Sequence, residues 1–123
     1  MPLDKFENIE VRCTLAKMIV RLFRLWEISL EDKLSLLGLD NSDRKLLGDF
    51  GRGSPLPETE EMLKRATMLL EIHKNLHMLF PENRNLAYSW VKTYNQRFGH
   101  PPLEIMKSGL QGLASVYKYL DSV

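Results

Sequence analysis

Apolar side chains recur at steps of three and four residues along most of this chain, which is the spacing of an amphipathic helix. One such stretch covers residues 4–27, and the most regular one covers residues 59–80. The stripe of the second stretch consists of Met62, Ala66, Leu69, His73, Leu76 and Phe80. No segment shows the strict alternation of apolar and polar residues that a half-buried strand requires. The pattern therefore predicts an all-α fold.

Two shorter helices are predicted between these stretches. Ser29 can cap a helix over "LEDKLSLL" that stops at Gly38, and Asn41 or Ser42 can cap a helix over "SDRKLLGDF" that ends near Gly51. A long helix followed by two short helices and a tight turn is the outline of a helix-turn-helix unit.

The motif "SPLP" at residues 54–57 is the clearest boundary in the sequence. Two prolines around one leucine cannot continue a helix and favour an extended connection. We therefore predict an N-terminal unit over residues 1–55 and a small helical C-terminal unit over residues 56–123.

The C-terminal unit contains a stiff corner, "RFGHPPLEIMKSG", at residues 97–109. Gly99 permits a positive φ, and Pro102 suits the first position of a short helix, "PLEIM". Around this corner we predict a helix from Arg84 to about residue 92 that Asn83 can cap, with Trp90 in the core, and a last helix over about residues 110–120. A corner of this kind either only joins helices or forms a preorganised contact surface.

The composition of the chain mainly shows which kinds of partner and which covalent links it does not require. Hydrophobic residues make up 44% and charged residues 27% of the 123 residues, and 17 basic against 16 acidic side chains leave the chain near neutral. This balance neither demands nucleic acid nor an acidic membrane as a partner. A single cysteine, Cys13, rules out an internal disulfide, and Lys17, Arg21 and Arg24 interrupt the longest apolar run. We expect a cytoplasmic protein without a membrane partner.

Candidate catalytic and metal sites are sparse. His73 and His77 lie four residues apart, but Lys74 occupies the position where a helical zinc-protease motif needs glutamate. A hydrogen-bonded core histidine is the simpler interpretation of His73. The glycines of "GDFGRG" do not follow a strand and so do not form a phosphate-binding loop. We predict no enzymatic activity, no metal and no cofactor.

Binding to DNA stays open on the residues alone. The second short helix would present polar and basic side chains to a major groove, as helix-turn-helix units do. Residues 29–53 nevertheless carry four basic and five acidic side chains, which weakens phosphate binding. The candidate DNA contacts are Asn41, Ser42, Arg44, Lys45 and Arg52.

Residues 69–123 resemble the C-terminal toxin-binding domain of the Xre/MbcA/ParS antitoxin family. The resemblance rests on Leu79-Phe80-Pro81, Trp90, Asn95, a Gly-x-x-Pro-Leu motif starting at Gly99, and a last helix that begins with Gly109. The segment "LWEISLEDKLSLLGLD" is similar to the Xre-type helix-turn-helix that accompanies this domain, so residues 1–55 and 56–123 would be these two domains.

The resemblance implies an antitoxin that binds and neutralises a RES-type toxin, a protein that degrades NAD. It further implies a homodimer that can repress its own operon by binding operator DNA. The implied toxin contacts lie in the stiff corner and at the C-terminus: His100, Pro101, Lys107, Tyr117, Asp121, Ser122 and Val123.

Overall fold

The computed structural model of the chain describes residues 8–123. This part of the chain is all-α, as predicted, and contains no β-strand. Residues 4–7 of the first predicted helix lie outside the described residues. The helices are α1 (Ile9–Trp26), α2 (Leu30–Leu36), α3 (Arg44–Gly51), α4 (Glu60–Leu79), α5 (Arg84–Ser89), α6 (Pro102–Met106) and α7 (Leu110–Asp121), with 3₁₀ turns at Asn41–Asp43 and Trp90–Lys92.

Side-chain caps set the starts of α2 and α5 where the sequence predicts them. The Ser29 hydroxyl accepts a hydrogen bond from the Asp32 N–H at 3.1 Å, and the Asn83 side chain accepts one from the Leu86 N–H at 3.0 Å. Each bond satisfies one of the amide groups that a helix leaves unpaired in its first turn. Gly38 follows α2 with a φ of 70°, the left-handed conformation expected of a residue that ends a helix.

The predicted cap of the third helix is wrong. Asp40, and neither Asn41 nor Ser42, caps this segment, and it caps a 3₁₀ turn that precedes the helix: its side chain accepts a hydrogen bond from the Ser42 N–H, and the Asp43 carboxylate accepts one from the Asp40 N–H. This reciprocal pair stabilises a 3₁₀ turn, so α3 itself begins only at Arg44.

One hydrophobic core contains side chains from both predicted units. Its largest fully buried members include Trp26 and Phe50 from the N-terminal half and Leu69 and Met106 from the C-terminal half. The boundary at residue 55 stays a prediction about sequence units, since the two halves pack as one body around this core.

The "SPLP" segment breaks the helical structure, as predicted, yet it is tightly anchored. Leu56 is completely buried, its N–H donates to the Arg12 carbonyl at 3.2 Å, and the Arg12 guanidinium donates to the Leu56 carbonyl at 2.9 Å. The segment is therefore fixed against α1.

A buried arginine connects α4 to the end of α2. Arg65 is only 8% exposed, and its guanidinium donates to the carbonyl groups of Ser35 and Leu36 at 3.4 and 3.3 Å. It also forms an ion pair with Glu61 at 3.1 Å. Arg65 thus provides a donor to the Leu36 carbonyl at the C-terminal end of α2 and a second donor to the Ser35 carbonyl, which also accepts from the Gly38 N–H at 3.1 Å.

We expect the substitution Arg65→Met to lower the free energy of unfolding by about 2 kcal/mol, because buried carbonyl groups lose a charged donor. Urea denaturation measures this loss. Lys64→Met, at the neighbouring exposed position, is the control and should leave stability nearly unchanged. Equal stability of the two variants would show that Arg65 contributes only its apolar stem.

Candidate functional site

The corner between α5 and α6 is closed by the backbone of Asn95. The Asn95 carbonyl accepts hydrogen bonds from the N–H groups of Phe98 and Gly99, at 3.1 and 2.9 Å, and the Asn95 N–H donates to the His100 carbonyl at 3.2 Å. Gly99 has a φ of 72°, as predicted for the reversal of the chain. Residues 95–101, which we call the corner loop, therefore have a defined shape.

The second half of the corner is equally constrained. Pro101 is extended, with a ψ of 140°, and Pro102 is the first residue of α6, as predicted. α6 packs closely on α7 at Gly112, where a Cβ atom would overlap the carbonyl oxygen of Ile105. This contact fixes the corner loop relative to the last helix.

Three aromatic side chains and one arginine join the corner loop to α7. The Phe98 and Tyr119 rings meet edge to face with their centroids 5.3 Å apart. Trp90 stacks on Tyr119, and these two ring centroids are 6.3 Å apart. The Arg97 guanidinium lies 5.9 Å from the Tyr119 ring centroid, within the range of a cation–π contact. We call these four residues the aromatic cluster.

The predicted place of Trp90 in the core needs a correction. Trp90 is only partly buried and packs on the edge of the core, because it belongs to the 3₁₀ turn Trp90–Lys92 and faces Tyr119. The fully buried residue of this turn is its neighbour Val91.

The aromatic cluster places part of the predicted contact set on one surface. His100 is exposed and Pro101 partly buried, both in the corner loop that Phe98 holds against Tyr119. Asp121, Ser122 and Val123 follow the buried Leu120 and are exposed. Phe98 and Arg97 join the corner loop to the Tyr119 side of α7, the side on which Ser122 and Val123 follow, and we call the loop with these residues the corner surface. Asp121 follows Tyr119 by two positions and therefore lies on the other side of the helix.

The other two predicted contacts lie elsewhere. Tyr117 precedes Tyr119 by two positions, which turns it by about 200° around the helix, so it flanks the opposite side of α7. Lys107 forms ion pairs with Asp32 at 2.9 Å and with Glu104 at 3.0 Å. Hydrogen bonds to Asp32 and then Glu104 raise the Lys107 pKa. Lys107 thus links α6 to α2, and the structure does not bring it to the corner surface.

Sequence reasoning missed Arg97 and Tyr119 as candidate contacts. Both are identified only by the approach of the corner loop to α7, which joins positions more than 20 residues apart. A weak signal existed, since Tyr119 falls between the buried positions Val116 and Leu120 without belonging to the apolar stripe.

The candidate DNA contacts are all exposed, but two of them are engaged within the chain. The Ser42 hydroxyl and N–H both donate to the Asp40 carboxylate, and these bonds lower the Asp40 pKa. The Arg52 guanidinium pairs with Asp49 at 2.7 Å. Asn41, Arg44 and Lys45 form no side-chain hydrogen bond or ion pair within residues 8–123.

His73 and His77 share one side of α4, with their ring centroids 4.4 Å apart, and both approach Tyr88 of α5. Both residues are only partly buried, so His73 does not occupy the core position that the sequence predicted. Within the described part of the chain, no three His, Cys, Asp or Glu side chains are grouped so that they could hold a metal ion. Burial, and then the charges of His77 and Arg21, lower the His73 pKa to about 4.

This depressed pKa predicts acid sensitivity. An unfolded chain binds a proton at His73 near the ordinary pKa of 6.5, whereas the folded chain does so only near pH 4, so the free energy of unfolding decreases as the pH falls through this window. We expect a loss of about 1–2 kcal/mol, which allows for solvent screening of the partly exposed ring. Urea denaturation at pH 7 and at pH 4 measures it. His73→Gln should reduce this loss and His100→Gln should not; equal behaviour of the two variants would contradict the assignment.

Comparison with known proteins finds a family match for the C-terminal part of the chain. Residues 75–123 match the model of the antitoxin Xre/MbcA/ParS C-terminal toxin-binding domain. This part of the chain is therefore similar to that domain family. No curated protein matches the chain.

The matched residues comprise the end of α4, α5, α6 and α7. The corner loop, the aromatic cluster and Gly112 all lie inside the matched residues. The family assignment supports an antitoxin role. In residues 8–123, no helix has both the length and the apolar character needed to span a bilayer.

Proposed function

We propose that this chain is an antitoxin of a type II toxin–antitoxin system that binds a RES-type, NAD-degrading toxin and blocks its active site. The observation that carries the proposal is the position of the corner surface inside the matched toxin-binding domain. Closure of the toxin's substrate pocket by a preformed surface requires no catalytic group on the antitoxin.

The corner surface has the properties of a protein-binding site. It is rigid, because backbone hydrogen bonds to Asn95 and the two prolines fix the loop, and a rigid surface loses little conformational entropy on binding. It also combines aromatic rings with an exposed arginine, the side chains that most often dominate binding energy at interfaces.

The last residues extend this surface. The Ser122 hydroxyl donates to the Tyr119 carbonyl at 2.9 Å and holds the end of the chain against the last turn of α7. Val123 remains 64% exposed, although it is apolar. Ser122 and Val123 therefore form a short anchored end of α7 with one exposed apolar side chain, which supports their predicted role as toxin contacts.

Co-expression with the toxin encoded next to this chain tests the proposal. We expect the wild-type chain to restore growth and cellular NAD. A chain shortened after Leu120 should fold, because Leu120 is its last core residue, and should protect poorly. Undiminished toxicity in the presence of the abundant, folded wild-type chain would rule the proposal out.

A second candidate function is transcriptional repression by a homodimer that binds its own operator through the helix-turn-helix-like unit. The observation that favours it is that Arg44 and Lys45 are exposed at the start of α3 without an acidic partner in the described residues. The exposed basic side chains of α1 (Lys17, Arg21 and Arg24) add positive charge to the same half of the chain.

A mobility-shift titration on the upstream promoter tests this candidate. Specific binding that weakens steeply between low and moderate salt is expected, since phosphate contacts release counterions. Sedimentation of the free and the bound protein tests the homodimer. Absence of any shift at low salt would exclude repression by this chain alone.

A further inference from the structure

A pocket of about 450 Å³ lies between α1, α4 and α5, away from the corner surface. Its apolar wall includes Met18, Leu25 and Leu70, and its aromatic wall consists of His73, His77 and Tyr88. The volume is that of a site for a small organic molecule, for which typical cavities measure about 300–1,000 Å³.

Two arginines from different helices line this pocket. Arg21 comes from α1 and Arg84 from the first turn of α5, so the fold brings two arginines to one cavity from positions 63 residues apart. Within residues 8–123, no aspartate or glutamate lines the pocket. Among residues 8–123, neither guanidinium has a carboxylate oxygen within 4 Å. A concave site lined by one sign of charge attracts ions of the opposite sign.

One atom of the histidine wall is also unpaired. His77 Nε2 is buried and has no hydrogen-bond partner among residues 8–123. The positive charge of Arg21 acts on His73, whose pKa is already lowered by burial. A negatively charged ligand would balance the positive charge of the arginines and would offer acceptors to the guanidinium and imidazole groups together.

We propose that this pocket binds a small molecule that carries an oxyanion, a phosphate or a carboxylate, on an apolar or aromatic group. Arg21 and Arg84 would hold the oxyanion, and the apolar residues of α1 and α4 would contact the rest. The site lies where the N-terminal half meets the toxin-binding domain, and the proposal does not depend on the identity of the toxin.

Proton NMR can test the proposal on the intact chain because it contains only three histidines. His73 and His77 line the pocket, while His100 lies in the corner loop and serves as an internal reference. The probes are inorganic phosphate, phenyl phosphate and benzoate, each compared with sodium chloride at the same ionic strength and pH.

We expect phenyl phosphate to shift the ring signals of His73 and His77 in a saturable way and at lower concentration than inorganic phosphate, while His100 stays unchanged. Comparison with benzoate identifies which oxyanion the site prefers, and tight binding of either aromatic anion supports the proposal. Arg21→Gln and Arg84→Gln should each weaken binding about tenfold, the loss of one charge-assisted contact.

Arg24→Gln is the matched control, since Arg24 is an exposed arginine of the same helix that does not line this pocket. It should bind phenyl phosphate like the wild type. Shifts that do not saturate, that affect all three histidines alike, or that persist in both Arg21→Gln and Arg84→Gln would overturn the proposal. Because the three substituted positions are exposed, these variants should fold, and their thermal unfolding checks that they do.

Discussion

Replacement of Gly112 by alanine is expected to lower the free energy of unfolding by about 3 kcal/mol. Gly112 is buried in α7, and an added Cβ would overlap the Ile105 carbonyl oxygen and crowd the Ser108 hydroxyl, which donates to that same oxygen at 2.6 Å. Because the obstacle is backbone, α6 must move away from α7. The displacement would also disturb the corner loop that precedes α6.

Gly51→Ala is a matched control with the opposite expected sign. At Gly51, at the end of α3, a Cβ would meet only a Val20 methyl group at 3.8 Å, an ordinary contact. Alanine there should stabilise the chain by about 0.5 kcal/mol because it reduces the freedom of the unfolded chain. Thermal unfolding compares the two variants. If Gly112→Ala were as stable as Gly51→Ala, the close packing of α6 on α7 would be refuted.

The largest functional effect is expected from Arg97→Glu, which rests on the proposed toxin-binding role of the corner surface. Reversal of this charge should weaken toxin binding by about 100-fold, the scale of an interface hot spot. Stability should change little, because Arg97 is exposed and its N–H, which donates to the Asn95 side chain at 2.9 Å, is retained. Isothermal titration of the purified toxin measures the affinity.

Arg44→Glu separates the two candidate functions. It should abolish operator binding if repression occurs, and it should leave toxin affinity unchanged, since α3 lies outside the toxin-binding domain. Arg97→Glu should weaken toxin binding and leave operator binding unchanged. A toxin affinity that is insensitive to Arg97→Glu would exclude the corner surface as the docking site.

Local features of the fold were predictable because their causes lie within a few residues. The caps at Ser29 and Asn83, the positive φ of Gly99 and the helix start at Pro102 each depend on neighbours no more than four positions away. The cap at Asp40 was mispredicted because several polar residues compete there. Only the reciprocal bond with Asp43 decides among them.

The candidate site was less predictable because its contacts are long-range. Helical spacing gives no indication that Tyr119 meets Phe98, that Trp90 stacks on the core edge, or that Lys107 pairs with Asp32 across 75 positions. The same limit applies to Arg21 and Arg84. Their sequence positions suggest two solvated charges, and only the packing of α1 against α5 brings them to one pocket.

The central claim, that the toxin-binding domain acts by covering an active site, is tested most directly by the rate at which the purified neighbouring toxin consumes NAD. With increasing amounts of this chain, the rate should fall in proportion and reach zero at a fixed stoichiometric ratio, and Arg97→Glu should shift this titration to much higher concentrations. A toxin that binds the chain yet continues to consume NAD at its full rate would contradict the account.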